Sequence, residues 1–310
     1  MRTRRFAILT AVLMLSILLV AVGVNAAEDY TPIKERGYAN PKALISCEEL
    51  KEIMDRDDVK IVDFRRSLTY LTGHIPGAIN VWRSDEENPD AEYAGIRANP
   101  EQMARMLGEK GINNDDLIVI YDAKGDYDAA RMWWILTMYG HEKIRLLDGG
   151  IIRWKALGYN TNLFGSDVES TTYKITDNDV DLSTLATVDE VKAAIDDDSI
   201  IILDTRSKAE NSGEEMKKGA VRKGKIPSSV FIEWSEAIND GKTFKTAEEL
   251  HELYTAKGVT ADKTIIPYCQ SAVRSAHTTF VLTQLLGYKN VKNYDGSWIE
   301  WSHRKDLPIE

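Results

Sequence analysis

From about Pro41 onward, short runs of uninterrupted apolar residues alternate with longer stretches whose apolar positions recur at helical spacing. The short runs include Ile61-Val62, Leu117 to Tyr121, Ile202-Leu203 and, after Thr264, Ile265 to Tyr268. A strand that is apolar at every position is one covered on both faces, as in a parallel sheet. The helical stretches carry start and stop signals. Ser46 followed by Glu49, and Thr187 followed by Glu190, are capping boxes, opening helices over Leu50–Met54 and Val191–Ile195. Ala276–Leu286 is helical in pattern and is stopped by Gly287. Strand, helix, strand in alternation predicts an α/β fold, with parallel sheets flanked by helices on both faces.

The pattern occurs twice. Ser46 and Thr187 lie 141 residues apart, as do Ile61-Val62-Asp63-Phe64-Arg65 and Ile202-Leu203-Asp204-Thr205-Arg206. Gly73-His74-Ile75-Pro76-Gly77-Ala78 then parallels Gly224-Lys225-Ile226-Pro227-Ser228-Ser229 at an offset of 151, so the second copy has gained about ten residues around Gly213 to Lys223. Beyond that the offset holds at 147: Leu117–Asp122 with Thr264–Cys269, Gly140 with Gly287, Asp148-Gly149 with Asp295-Gly296, Trp154 with Trp301. A constant offset of this kind marks an internal duplication. The predicted organisation is a first domain over 41–162, a linker over 163–180 rich in Ser, Thr and Asp, and a second domain over 181–310.

The N-terminus departs from this pattern. Arg2, Arg4 and Arg5 precede an uncharged stretch from Phe6 to Val24, and Val24-Asn25-Ala26 supplies a small-residue cleavage site. Residues 1–26 are therefore expected to be a secretory signal peptide, or an uncleaved anchor because the apolar stretch is long for a signal. Either way the body of the chain is expected outside the cytoplasm, in the periplasm in preference to secreted, with any membrane tether confined to this segment. Loss of the three arginines takes the formal net charge from -10 to -13. So acidic a body argues against nucleic acid as a partner. With two cysteines only, Cys47 and Cys269, the chain is not a disulfide scaffold.

Those cysteines differ in setting. Cys269 ends a strand and is followed by Gln270-Ser271-Ala272-Val273-Arg274-Ser275 and then a helix. Strand, tight loop and helix N-terminus aim backbone N–H groups at one spot, Arg274 adds a cation, and a thiol held there has its thiolate stabilised. The first copy has Asp122 in place of Cys269 and Tyr127 in place of Arg274, and is expected to be inactive, walling one side of the cleft. Cys47 matches Val188 and is expected to be a packed, unreactive thiol. Asp204 and Arg206, at a strand end, are expected to brace the loop, with Arg206 as a further candidate anion contact. His277 is expected at a surface position on its helix, and the tryptophans Trp133, Trp134, Trp298 and Trp301 in the core. The sequence shows no ligand spacing for a metal and no glycine-rich loop for a nucleotide, so no cofactor is expected.

Taken together, the duplicated Asp-x-Arg strand ends, the Gly73–Ala78 run, the Cys269 loop and the closing Tyr294-Asp295-Gly296-Ser297-Trp298 resemble the tandem rhodanese-type sulfurtransferases, over nearly the whole chain from Pro41 to Glu310. The resemblance implies two rhodanese-like domains and a ping-pong reaction. The Cys269 thiolate would take the outer sulfur of a small anionic donor, thiosulfate preferred over mercaptopyruvate, and pass it as a persulfide to a thiol or to cyanide. Residues 270 to 275 would bind the substrate. Three positions depart from the family pattern: Ala272 where the loop commonly has glycine, Glu210 where a substrate-binding arginine is found, and Pro267 inside a central strand. Two rival readings are a non-turnover sulfur carrier or partner-binding module, and a rhodanese-fold phosphatase. The latter uses a Cys-x5-Arg loop, one residue longer than the Cys269 to Arg274 spacing here.

Overall fold

The computed structural model describes residues 30–165 and 168–310; the expected signal peptide lies outside the described residues. In the first copy the strands are β1 (Leu44–Ile45), β2 (Val59–Asp63), β3 (Ile79–Asn80), β4 (Leu117–Tyr121) and β5 (Ile144–Leu147). They form one parallel sheet in the order β1-β5-β4-β2-β3. Its helices are α1 (Cys47–Ile53), α2 (Ser67–Tyr70), α3 (Pro100–Glu109), α4 (Ala129–Met138) and α5 (Gly150–Ala156).

The second copy repeats the plan with β6 (Leu185–Ala186), β7 (Ile200–Asp204), β8 (Val230–Phe231), β9 (Thr264–Tyr268) and β10 (Asn293–Tyr294). Its helices are α6 (Val188–Ala194), α7 (Lys208–Asn211), α8 (Ala247–Thr255), α9 (Val273–Phe280) and α10 (Ser297–His303). Both capping boxes form as expected, at Ser46 and at Thr187. Helix α9 starts at Val273, three residues before the expected Ala276, and continues as a π-helical stretch over Val281–Leu285.

In this copy the sheet is divided: β8-β7-β9 on one side, β10-β6 on the other, joined by a single bridge between Ile265 and Val291. Pro267 is the cause. The bridge uses Ile265 N–H to Asn290 O and Lys292 N–H to Ile265 O. The next rung of a parallel ladder would need the N–H of residue 267, which proline lacks. In the first copy the equivalent residue is Ile120, and there the ladder runs on through Ile120 opposite Leu146.

The two copies share a core. Helix α4 is apolar nearly all round and buried, the pattern of a helix enclosed on every side. It packs on α9, with the rings of Trp133 and Phe280 edge to face at 4.9 Å. One continuous apolar cluster takes in Met132, Trp133, Leu146, Leu203, Phe244 and Phe280 from both copies. The outer face of each sheet has its own smaller core, around Trp154 in the first copy and around Trp298 and Trp301 in the second. The segment after Asn162 is not a bare tether: Tyr173 is buried and accepts from or donates to His141 at 2.7 Å.

Candidate active site

Strand β9 delivers Cys269 to the C-terminal edge of the second sheet, where α9 begins. The thiol is almost wholly buried, at 1% exposure. Burial pushes a thiol pKa up, but here the Arg274 charge, the N–H groups of Ser275 and Ser271 and the Ser275 hydroxyl outweigh it, and the net shift is downward. The Ser275 hydroxyl lies 3.7 Å from the Cys269 sulfur. Cys47 is the contrast: buried beneath α5 with no such cradle, its thiol is pushed well up by burial.

The loop takes its shape from Ala272, which adopts the left-handed conformation (φ 54, ψ 21) at a cost of about 1–2 kcal/mol for a non-glycine residue. The equivalent residue of the first copy is Gly125, also at positive φ. Ser297 supports the turn: its hydroxyl accepts the N–H of Cys269 at 3.2 Å and that of Ala272 at 3.1 Å. The Ala272 N–H therefore points away from the sulfur, which removes it from the substrate-binding set. Ser297 replaces Gly150 of the first copy, and the 147-residue offset could have singled it out.

The first copy displays the cradle already filled. The Asp122 carboxylate accepts the N–H groups of Lys124 (2.7 Å), Asp126 (3.0 Å), Asp128 (2.6 Å) and Ala129 (3.3 Å). By the same offset the equivalent positions around Cys269 are Ser271, Val273, Ser275 and Ala276, and of these the Ser271 and Ser275 N–H groups act on the thiol. Gln270 faces elsewhere: its amide donates to Lys218 O at 3.1 Å, in the inserted segment of the second copy.

Two charged residues depart from expectation. Arg206 was a candidate anion contact, but it is buried at 1% exposure and engaged by the Asp204 carboxylate (2.7–3.2 Å) and Gly224 O (2.8 Å). It braces the strand end together with Asp204 and does not reach into the cradle. Arg274 is bound through both terminal nitrogens to Glu210, at 2.5 and 2.8 Å. Burial would raise the Glu210 carboxyl, yet Arg274 holds it at about 2. The Arg274 charge is thus matched by a carboxylate at the position where the family pattern has an arginine.

His277 is not on the surface. It is fully buried between the copies, its Nε2 3.1 Å from Gly125 O, its ring against Trp234 and Phe244. The first copy also closes over the Cys269 loop directly. A Cβ placed on Gly95 would come within 2.6 Å of the Ser271 Cβ, so only glycine permits this approach. Arg97 and Arg131 of the first copy both ion-pair with Asp295, beside Ser297, at 3.0 and 2.8 Å.

The sequence and the fold have counterparts among known proteins. The rhodanese-like domain family matches residues 46–157 and again 187–304. A sulfur carrier protein of Thermus thermophilus, TtuD, is 36% identical over 290 residues, covering 88% of this chain and 98% of its own length. The thiosulfate sulfurtransferase of Corynebacterium glutamicum is 34% identical over 282 residues, covering 88% of this chain and 92% of its own. The crystal structure of an anaerobic ergothioneine biosynthesis enzyme from Chlorobium limicola shares the fold, with a TM-score of 0.79 at 24% identity over 88% of this chain and 71% of that one. Two matched domains and full-length relatives place the chain in its family: it belongs to the tandem rhodanese-type sulfurtransferases.

Proposed function

We propose that the protein transfers sulfane sulfur through a persulfide on Cys269, with thiosulfate as donor. The observation that carries this reading is the buried Cys269 thiol, lowered in pKa at the start of α9 by Arg274 and by the Ser271 and Ser275 N–H groups. The thiolate attacks the outer sulfur of thiosulfate. A sulfur–sulfur bond forms on Cys269, the bond to the sulfonate sulfur breaks, and sulfite leaves with the electron pair. The persulfide anion is then held by the N–H groups that in the first copy hold Asp122. Attack on its outer sulfur by cyanide or a thiolate returns Cys269 as thiolate. The first copy lacks the nucleophile, and its Asp122 fills the equivalent cradle.

A carrier role is favoured over rapid turnover by two observations. Cys269 is almost inaccessible, and the Arg274 charge that would attract a dianionic donor is matched by Glu210. The named role of the Thermus relative agrees with it. Export to the periplasm is part of the proposal and rests on the basic, apolar and small-residue order of residues 1–26.

The test is intact mass after incubation with thiosulfate, beside Cys269→Ser. A gain of one sulfur atom in the parent alone, reversed by cyanide with release of thiocyanate, is expected. Uptake from mercaptopyruvate only would replace the donor; failure of a reduced Cys269 to load from any donor would overturn the transfer reading.

A further inference from the structure

Arg131 is the one charged residue of the otherwise apolar helix α4, and it is buried at 1% exposure. A buried cation needs compensating partners. Arg131 has Glu86 at 3.6 Å and Gly95 O at 2.9 Å in its own copy, and stacks on Trp134 at 5.0 Å. Its other partners belong to the second copy: Asp295 at 2.8 Å and the carbonyl oxygen of Ala272 at 3.5 Å. The residue equivalent to Arg131 in the second copy is Thr278, so the contact runs in one direction only, from the copy without the nucleophile to the copy with it.

We propose that Arg131 is a positioning residue for the Cys269 loop, supplied by the inactive copy; this rests on the persulfide reading above. Ala272 is clamped on both sides. Its N–H is taken by Ser297, and its carbonyl oxygen by Arg131 and by the Asn293 amide at 3.4 Å. In a planar trans peptide the carbonyl and the following N–H point in opposite directions. Holding the Ala272 oxygen toward the first copy therefore turns the Val273 N–H toward the sulfur. That N–H is the equivalent of Asp126 N–H, which donates to Asp122 at 3.0 Å in the filled cradle. The first copy reaches the same left-handed turn with Gly125, which does not need the clamp. Ala272 does need it, and Arg131 with Asp295 and Ser297 provides it.

The experiment uses the full chain with Arg131→Gln, Arg131→Lys and Arg131→Gln/Ala272→Gly. Two readouts are taken: single-turnover loading of Cys269 from thiosulfate, and the pH profile of Cys269 alkylation by iodoacetamide. In Arg131→Gln, loading is expected to slow about 10–100-fold with little change in KM, because a misplaced group costs rate rather than donor contact. The alkylation profile is expected to move to higher pH. Ala272→Gly in that background is expected to recover most of both changes, since glycine holds the turn unaided. Parent-like loading and alkylation in Arg131→Gln, or no recovery in the double variant, would overturn the proposal and leave Arg131 as interface packing. If Arg131→Gln does not fold, Arg131→Lys decides: it keeps the charge beside Asp295 but loses the Nη1 contact to the Ala272 oxygen. Slower loading at an unchanged thermal midpoint supports the proposal, and parent-like loading overturns it. If the parent loads no sulfur, the transfer reading alone falls, and the alkylation profile still tests Arg131.

Discussion

At the scale of single residues, the balance around Cys269 is set by a pair. Arg274 stabilises the thiolate, and Glu210 neutralises Arg274. Replacing Glu210 with Gln keeps a hydrogen-bonding partner and removes the negative charge. The kcat/KM for thiosulfate is expected to rise several-fold, and steady-state thiocyanate formation checks it; a fall would mean that Glu210 is needed as a brace. His277 makes a second prediction. Burial lowers its pKa to about 3, against the opposing hydrogen bond to Gly125 O. The folded value lies below the unfolded one, near 6.5. Its contribution to stability is therefore complete above about pH 6.5 and is lost as pH falls toward 3, at up to about 1.4 kcal/mol per pH unit, because the unfolded chain takes the proton first. His277→Gln is expected to flatten the drop in urea midpoint between pH 7 and pH 5 relative to the parent.

At the scale of elements, most of the plan could be read from the chain alone. The constant offset by itself aligns β4 with β9 and sets Cys269 at the position of Asp122. The same register explains Pro267, once the bridge at Ile265 shows where the missing rung falls. Pro267→Ile is expected to extend the β9–β10 ladder by one rung, worth about 0.5–1.5 kcal/mol before the loss of proline's stiffening of the unfolded chain. Slow hydrogen exchange at the new amide checks it. What was not legible are the contacts between elements distant in sequence. Periodicity marks His277 as lying on a helix but not which body of protein lies against that face, and its burial follows from the second fact alone. Nor does the Asp-x-Arg motif say that Arg206 turns back onto its own Asp204, or that Arg274 meets Glu210. Arg131 left one trace, a lone cation inside Ala129–Met138, and that oddity gains meaning only when α4 is seen against the second copy.

At the scale of the whole molecule, the two copies are halves of one packed body rather than independent beads. Phe280→Ala, which removes the ring between Trp133 and Phe244, is expected to cost about 3–5 kcal/mol. Because that cluster draws on both copies, the loss is expected to lower one unfolding transition common to both, as calorimetry would show by a single peak moved down in temperature. A fragment of residues 181–310 is expected to bind a hydrophobic dye and to lose the shape of the Cys269 loop.

The enclosure of α4 also bears on the order in which the protein comes into being. A chain emerges from its N-terminus, so Met132, Trp133 and Trp134 are made well before α9 exists to cover them. For that interval the first half carries a sticky apolar surface it cannot bury by itself, and its native state waits on the last third of the sequence. A chain in this position is kept from finishing early, which is what the proposed export through a narrow channel would require of it. Maturation of the thiol then becomes a late event, gated by completion of the polypeptide rather than by the folding of either half.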